Sequence, residues 1–534
     1  MTRFPLLPLV ALSCLLLACA TMDASAFGAD KNAPPDITLG PTGLRGWIRS
    51  EKMVTTDARQ ISVTQVDQGS PADGVIQVGD VILGVGTKPF DDDARIQFGR
   101  AITLAEREAN GGKLPLLIQR DGTTRTLSLQ LPVLGSYSVT TPFDCPKSRR
   151  ILDRGFRAIA TKLKQSPTDG HIIARALNAL ALLSSGDAQY QELIHEQARL
   201  LSEYDQSTGV RTWQYGYVNM FLAEYVLATG DRTYVESGLK RMTKMIVDGQ
   251  SGVGSWGHQF VAPGETRLRG YGMMNAPGIP LTYSLVLARE AGVNVPGLDA
   301  AIDKSARFLR FYVGKGAIPY GDHHPWIQTH CDNGKNEMAA VLFDQLGDAE
   351  ATNYFSHTAV ASHGSERDTG HTGNFFNILW ALPGVVRAGP HASGAWMQEF
   401  GWHYDLARRW DGTFGYQGPP RDHREVYDGW DCTGAYLLGY SQALRKTHLT
   451  GRKPSVADPV DRPTAESLVE DGRGWSNRDR NTFYDSLSTE ELLARLANWS
   501  PTVRDRAAMA LGRRQDDVIP QLRELLQASS RYAQ

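Results

Sequence analysis

The 534-residue sequence predicts a mainly α protein: an (α/α)6 toroid, preceded by a small α+β domain and followed by a short helical cap. Three observations carry that prediction. Six segments rich in small residues and aromatics recur at spacings of roughly 40 to 60 residues, each introduced by glycine or a turn, which is room for two helices and two connections. More polar amphipathic stretches alternate with them. Residues 38–133 instead contain runs such as Ile61–Val66, where apolar side chains alternate as a strand requires. Composition narrows the function classes. Lys plus Arg is 56 against 58 Asp plus Glu, and a net charge of −2 leaves no electrostatic footprint for nucleic acid or anionic lipid.

Arg3 precedes an apolar run from Phe4 to Ala20, short of the roughly 20 residues of a comfortable membrane span. Residues 1–26 read as a secretory signal, which places the protein in the periplasm or cell envelope. Two cuts are open. Leu16-Leu17-Ala18-Cys19 is similar to the bacterial lipobox and would leave Cys19 as a lipid anchor, whereas Ala24-Ser25-Ala26 fits ordinary signal cleavage. An uncleaved anchor is the third alternative. Cys14 and Cys19 fall in this segment, leaving Cys145, Cys331 and Cys432, too few for a disulfide scaffold.

In residues 38–133, Ile61–Val66 is followed by Gly69-Ser70-Pro71-Ala72-Asp73-Gly74 and then by Val78-Gly79-Asp80-Val81-Ile82-Leu83-Gly84-Val85. That string resembles the core of a PDZ domain of the bacterial protease-associated type. The resemblance implies a helix within Asp92–Ala109 and paired strands Leu114–Arg120 and Thr124–Leu131 joined at Asp121-Gly122. Asp91-Asp92-Asp93 then reads as a capping loop. The resemblance also implies a partner: an extended or C-terminal peptide, added as a strand to an open sheet edge. Its carboxylate would be held by the loop Leu44-Arg45-Gly46-Trp47, and its groove would lie between the strand after Trp47 and the helix carrying Ile96 and Arg100. Docking of the groove against its own chain is the alternative.

Residues 147–446 form the predicted toroid. The inner segments begin near Gly170, Gln214, Gly272, Asn333, His371 and Gly429, and outer stretches include Gln189–Ser202, Tyr234–Val247 and Leu298–Tyr312. Helices apolar on all sides need burial all round, which a ring of helical hairpins supplies; an open solenoid is the competitor. Gln250-Ser251-Gly252-Val253-Gly254-Ser255-Trp256 resembles the Q-x-x-x-G-x-W motif of terpenoid cyclase and protein prenyltransferase toroids, with a looser echo at Asp411–Tyr416. The acidic D-x-D-D motif of squalene-hopene cyclases is absent. As a whole the chain resembles exported bacterial proteins that join a PDZ domain to an α/α toroid, and six-hairpin glycosidases share the hairpin count.

Parallel inner helices gather their N-terminal loops at one mouth, and this chain's acids, imidazoles and aromatics collect in those loops. Three chemistries compete there. On a polysaccharide, hydrolysis needs two carboxylates, for which Glu366, Asp368, Asp428 and Asp431 are candidates. A lyase needs a base, His371 or Tyr427, with Asn333 or Arg367 to neutralise a uronate. Neither requires a cofactor. The second chemistry is zinc: Cys331, His371 and Cys432 offer two thiolates and an imidazole with an open fourth position, a set similar to that of lanthionine-synthetase toroids. The third is bland, with Cys331 and Cys432 as a disulfide or separate thiols, and His171 and His258 as hydrogen-bonded core.

Residues 447–482 lose periodicity and read as a linker or strap. In 483–534, Ser488-Thr489-Glu490-Glu491 opens a helix, and Ser500–Gly512 resembles the middle of a HEAT repeat that must dock on a neighbour. The expectation is an exported, glycan-acting hydrolase or lyase, with a non-catalytic peptide- or glycan-binding scaffold as the rival and a zinc-dependent toroid enzyme third.

Overall fold

The computed structural model describes residues 36–51, 54–206, 209–331, 333–367, 373–418, 426–474, 480–528 and 532. The first part is an antiparallel sheet with one helix. Strands β1 (Ile37–Thr38), β2 (Leu44–Trp47), β3 (Ile61–Val66), β4 (Val81–Val85) and β5 (Lys88–Pro89) precede α1 (Ala94–Ala105), and β6 (Lys113–Arg120) and β7 (Thr123–Gln130) follow it. The sheet order is β1-β2-β3-β4-β6-β7, with β5 paired to β4. Asp93 opens α1 by accepting from the N–H groups of Arg95 and Ile96, the role expected of that acidic run.

Leu44, Arg45, Gly46 and Trp47 are not a loop. They are β2, paired with β3 on one side and with β1 on the other, where Ile37 faces Gly46 and Thr38 faces Arg45. On the side away from β3, β2 is covered by residues 37–38 of the same chain. Two physical causes hold them there. Ile37 and Leu39 are buried apolar side chains. Gly40, at φ 68°, then turns the chain where a side chain would strike Ile102 of α1 and the Asp405 backbone.

Helical pairs follow: α2 (Pro146–Gln165) with α3 (Ile172–Ser185), α4 (Gln191–Ser202) with α5 (Arg211–Thr229), and α6 (Glu236–Asp248) with α7 (Asn275–Glu290). Then come α8 (Leu298–Arg310) with α9 (Lys335–Leu346), α10 (Ala349–Val360) with α11 (Gly373–Val385), and α12 (Pro390–Ala407) with α13 (Thr433–Tyr440). The second member of each pair packs on the next such helix, and α13 packs on α3 as well as α11. Burial follows the sequence pattern: α5 is buried without interruption from Thr212 to Val226, while α6 buries one face through Leu239, Met242 and Ile246. Among these inner helices, Trp380 donates from Nε1 to the Tyr217 hydroxyl at 3.0 Å and packs on Tyr283.

The sheet module is locked to this body by buried charge. Lys147 Nζ lies 3.0 Å from Glu106 and 2.6 Å from Asp405, and Arg408 lies 2.7 Å and 2.9 Å from the same two acids. Burial pushes the Asp405 carboxyl up, but Lys147 and Arg408 outweigh it and hold it below the usual carboxylate range. Gly99 lets α1 close on the backbone of Trp402 in α12.

Residues 447–460 cross the C-terminal ends of the inner helices. Glu224 of α5 accepts from the His448 and Leu449 N–H groups at 2.9 and 2.7 Å, and Arg387 joins Asp344 at 3.0 Å and donates to the Leu449 carbonyl at 3.2 Å. Beyond lie α14 (Arg462–Asp471), α15 (Arg480–Ser486), α16 (Thr489–Arg495), α17 (Pro501–Leu511) and α18 (Ile519–Leu525). Ser488 and Glu491 form a full capping box on α16. The segment docks on the body through Ser500 with His330 at 2.8 Å and Thr502 with the Thr329 carbonyl at 3.2 Å. Among the described residues no helix is long and apolar enough to cross a membrane.

Candidate functional site

The opposite, N-terminal ends of the inner helices carry a continuous run of rings. His171 caps α3 by accepting from Ile173 N–H, and its ring stacks on Trp430 at 3.7 Å. Trp430 meets Phe375 of α11 edge-on at 5.0 Å, and Tyr427 stacks on Phe375 at 5.9 Å. Phe376 packs on Trp213 of α5 at 4.9 Å, whose indole N–H donates to His258 Nδ1 at 3.3 Å. The run continues through Tyr271 and Tyr320 to Lys335 of α9, whose ammonium sits 5.5 Å from the Tyr320 ring centre. Tyr271 is 69% exposed. His171, His258, Tyr416, Tyr427 and Trp430 are half-buried, so several ring faces reach solvent. Burial lowers His171 to about 4, which keeps its imidazole neutral as a cap and a stacking face.

Glu366 stands out among the predicted acids. It lies in the turn Ser365–Arg367, nearly buried; Oε1 accepts a long bond from Gly364 N–H at 3.4 Å, and Oε2 has no hydrogen-bond partner among the described residues. Burial pushes its pKa up to about 7, so a proton is held there near neutrality. Asn333, just ahead of α9, adopts a left-handed φ of 56° and also buries an amide oxygen without a partner among the described residues.

Other candidates are committed elsewhere. Arg367 is wholly buried, paired with Glu337 at 2.6 Å and donating to the Ala359 and Ser362 carbonyls and to Asn377, so it cannot reach a uronate. Asp431 accepts from Lys162 at 2.9 Å, from Asn178 at 3.0 Å and from the Thr433 N–H at 3.0 Å. Burial raises it, but Lys162 and Thr433 outweigh that and hold the carboxyl below its usual range. Asp431 is therefore a tie between α2, α3 and α13 rather than half of a catalytic pair. Tyr427 lies in the turn Val426–Gly429 as part of the aromatic run. Asp368, His371 and the side chain of Asp428 lie outside the described residues.

The zinc set fits poorly. Cys331 donates to Glu337 at 2.8 Å, and burial followed by that carboxylate pushes its thiol well above the usual range, the reverse of what a zinc thiolate needs. Cys432 faces the Trp430 carbonyl at 3.5 Å. Among the described residues no group of three His, Cys, Asp or Glu side chains could hold a metal ion, and Cys145, Cys331 and Cys432 are all free thiols, so the disulfide alternative also falls.

Sequence reasoning missed Glu337, Trp213, Phe375 and Phe376. The signal for the rings was present: aromatics in the first turns of α5 and α11, Trp213 and then Phe375-Phe376. In comparisons with known proteins, the family model described as a domain of unknown function (DUF6288) matches residues 148–451, and no curated protein matches the chain.

Proposed function

Because the chain belongs to the DUF6288 family, whose matched span carries the aromatic run, we propose that it is an exported (α/α)6-toroid protein that acts on an extracellular glycan at that mouth. The observation that carries this reading is the set of half-exposed rings along the N-terminal ends of the inner helices. Sugar rings present apolar C–H faces that stack on such aromatics. Glu366 supplies the protonated carboxyl that a hydrolase needs beside the leaving oxygen, or that a lyase needs to return a proton. The return of the inner-helix contacts from α13 to α3 supports the ring over the solenoid.

In this reading the PDZ-like module is structural, since residues 37–38 of the same chain pair along one side of β2. The HEAT-like tail buttresses the outer helix α10, where Trp499 packs on Tyr354 and His357. Lipid attachment at Cys19 would tether the whole to the envelope.

The test is a panel of neutral and uronic polysaccharides, followed by reducing-end release and by ultraviolet absorbance of unsaturated products. The expected result is turnover of at least one member that Glu366→Gln abolishes and Trp430→Ala weakens. Binding that Trp430→Ala removes, without turnover of any member, establishes the rival non-catalytic scaffold, which the engagement of Asp431 and Arg367 favours. No binding at all ends both.

A further inference from the structure

Helix α2 carries seven Lys and Arg against a single Asp, in a protein whose net charge is −2. Beside it runs an open groove of about 410 Å³, lined by Arg154, Arg157, Lys162, Gln165, Asp411 and Thr413. Its charge is balanced from within only in part, where Lys162 pairs with Asp431 at 2.9 Å. Among the described residues no carboxylate forms an ion pair with Arg154 or Arg157, and Arg157 is exposed. The one carboxylate in the lining, Asp411, is turned to its own loop, accepting from the N–H and hydroxyl of Thr413 at 2.9 and 2.6 Å. Among the described residues Arg154 donates to the Trp410 carbonyl at 3.2 Å, and burial with the neighbouring Arg408 outweighs Glu106 and Asp411 and holds it below the usual guanidinium range. Like charges held this close are relieved by an anion.

The groove also has a direction. At one end Lys162 bonds Asp431, the chain neighbour of Trp430. A ligand lying along α2 therefore continues onto the aromatic mouth.

We infer that this groove receives an acidic glycan segment, whose sugar carboxylates pair with Arg154 and Arg157 while adjoining rings stack at Trp430. Guanidinium suits that task because its planar fork meets a carboxylate with two parallel bonds. The inference rests on the reading of the mouth as a glycan site and adds the substrate class, a uronate-bearing polymer.

The experiment measures retention of the full chain by polygalacturonate and by a neutral glucan in affinity gels, at about 50 and about 300 mM salt. The expected result is retention by polygalacturonate that weakens at the higher salt and falls roughly tenfold in Arg157→Glu. Arg157 is exposed, so that variant folds; Arg154→Ala is the second. Trp430→Ala should weaken retention at both salt levels. Polygalacturonate held equally by wild type and Arg157→Glu overturns the groove and leaves the mouth reading intact, as does retention by the neutral glucan alone. Retention by neither polymer overturns both.

Discussion

The two ends of the inner helices meet the same problem with opposite materials. Each helix end leaves about four backbone groups without an intrahelical partner. At the C-terminal ends these are carbonyls, and the protein supplies its own cations: Arg387 donates to Pro383 O at 3.0 Å and Arg452 to Leu227 O at 2.7 Å. At the N-terminal ends they are N–H groups, met by His171 and Asp431, with aromatic faces left toward solvent. One end is closed by residues 447–460; the other keeps its rings at the surface.

Two carboxyls make the contrast sharper. Burial pushes both Glu224 and Glu366 up to about 7. Glu224 has both oxygens satisfied by backbone N–H groups of the strap, whereas among the described residues Glu366 has one long contact and one oxygen without a partner. The same shift thus accompanies a structural bracket at one end and a sparsely bonded carboxyl at the other. A pKa alone does not tell them apart; the hydrogen-bond inventory does.

Four substitutions break or sharpen this contrast. The largest effect is expected from Arg387→Met, which removes the cation from half-buried Asp344 together with the bonds to the Pro383 and Leu449 carbonyls, and should cost about 3–5 kcal/mol in urea unfolding. A loss near zero would mean the strap does not close that end. Next is Glu224→Gln. Its amide can accept one of the two strap N–H groups, so stability at about pH 5 should fall by about 1–3 kcal/mol.

The pH dependence has a defined sign. The folded-state pKa of each glutamate lies above its ordinary 4.5, so the folded protein binds more protons than the unfolded chain, and stability falls as pH rises from about 4.5 through about 7. Each substitution to Gln should remove its own share of that slope in unfolding measured across the window.

Third, Asp431→Ala removes the Thr433 cap and the Lys162 and Asn178 contacts, and a thermal melt should register a loss of about 1–2 kcal/mol. Loss of turnover with an unchanged melting temperature would return Asp431 to the catalytic set. The smallest stability effect, under about 1 kcal/mol at acidic pH, belongs to Glu366→Gln, because only a 3.4 Å contact is weakened; its mark should be lost turnover.

The helical pattern was legible because burial on all sides leaves a plain trace: α5 contains Tyr215, Tyr217, Val218 and Met220 on different faces, all buried. The alternation in β3 and the turn at Asp121-Gly122 were equally local signals. What failed was anything decided across the chain. Four residues at 44–47 fit a loop or a strand, and pairing with β3 on one side and β1 on the other decides between them. Asp431 looked like a catalytic acid by type, but Lys162, 269 positions away, determines its role. A readable clue was passed over at Glu224, a lone acid in the otherwise apolar stretch Phe221–Ala228. Such a residue is buried with partners or it is not there.

Strand β1 has a mechanical corollary. Thr38 faces Arg45 across the sheet while its carbonyl accepts from Gln417 of the helical body at 2.7 Å. Tension applied to the chain ahead of Asp36 is therefore divided between both parts of the molecule at once. A tether leaving from that point pulls on the seam, and the load is borne in common instead of peeling one sheet from its edge.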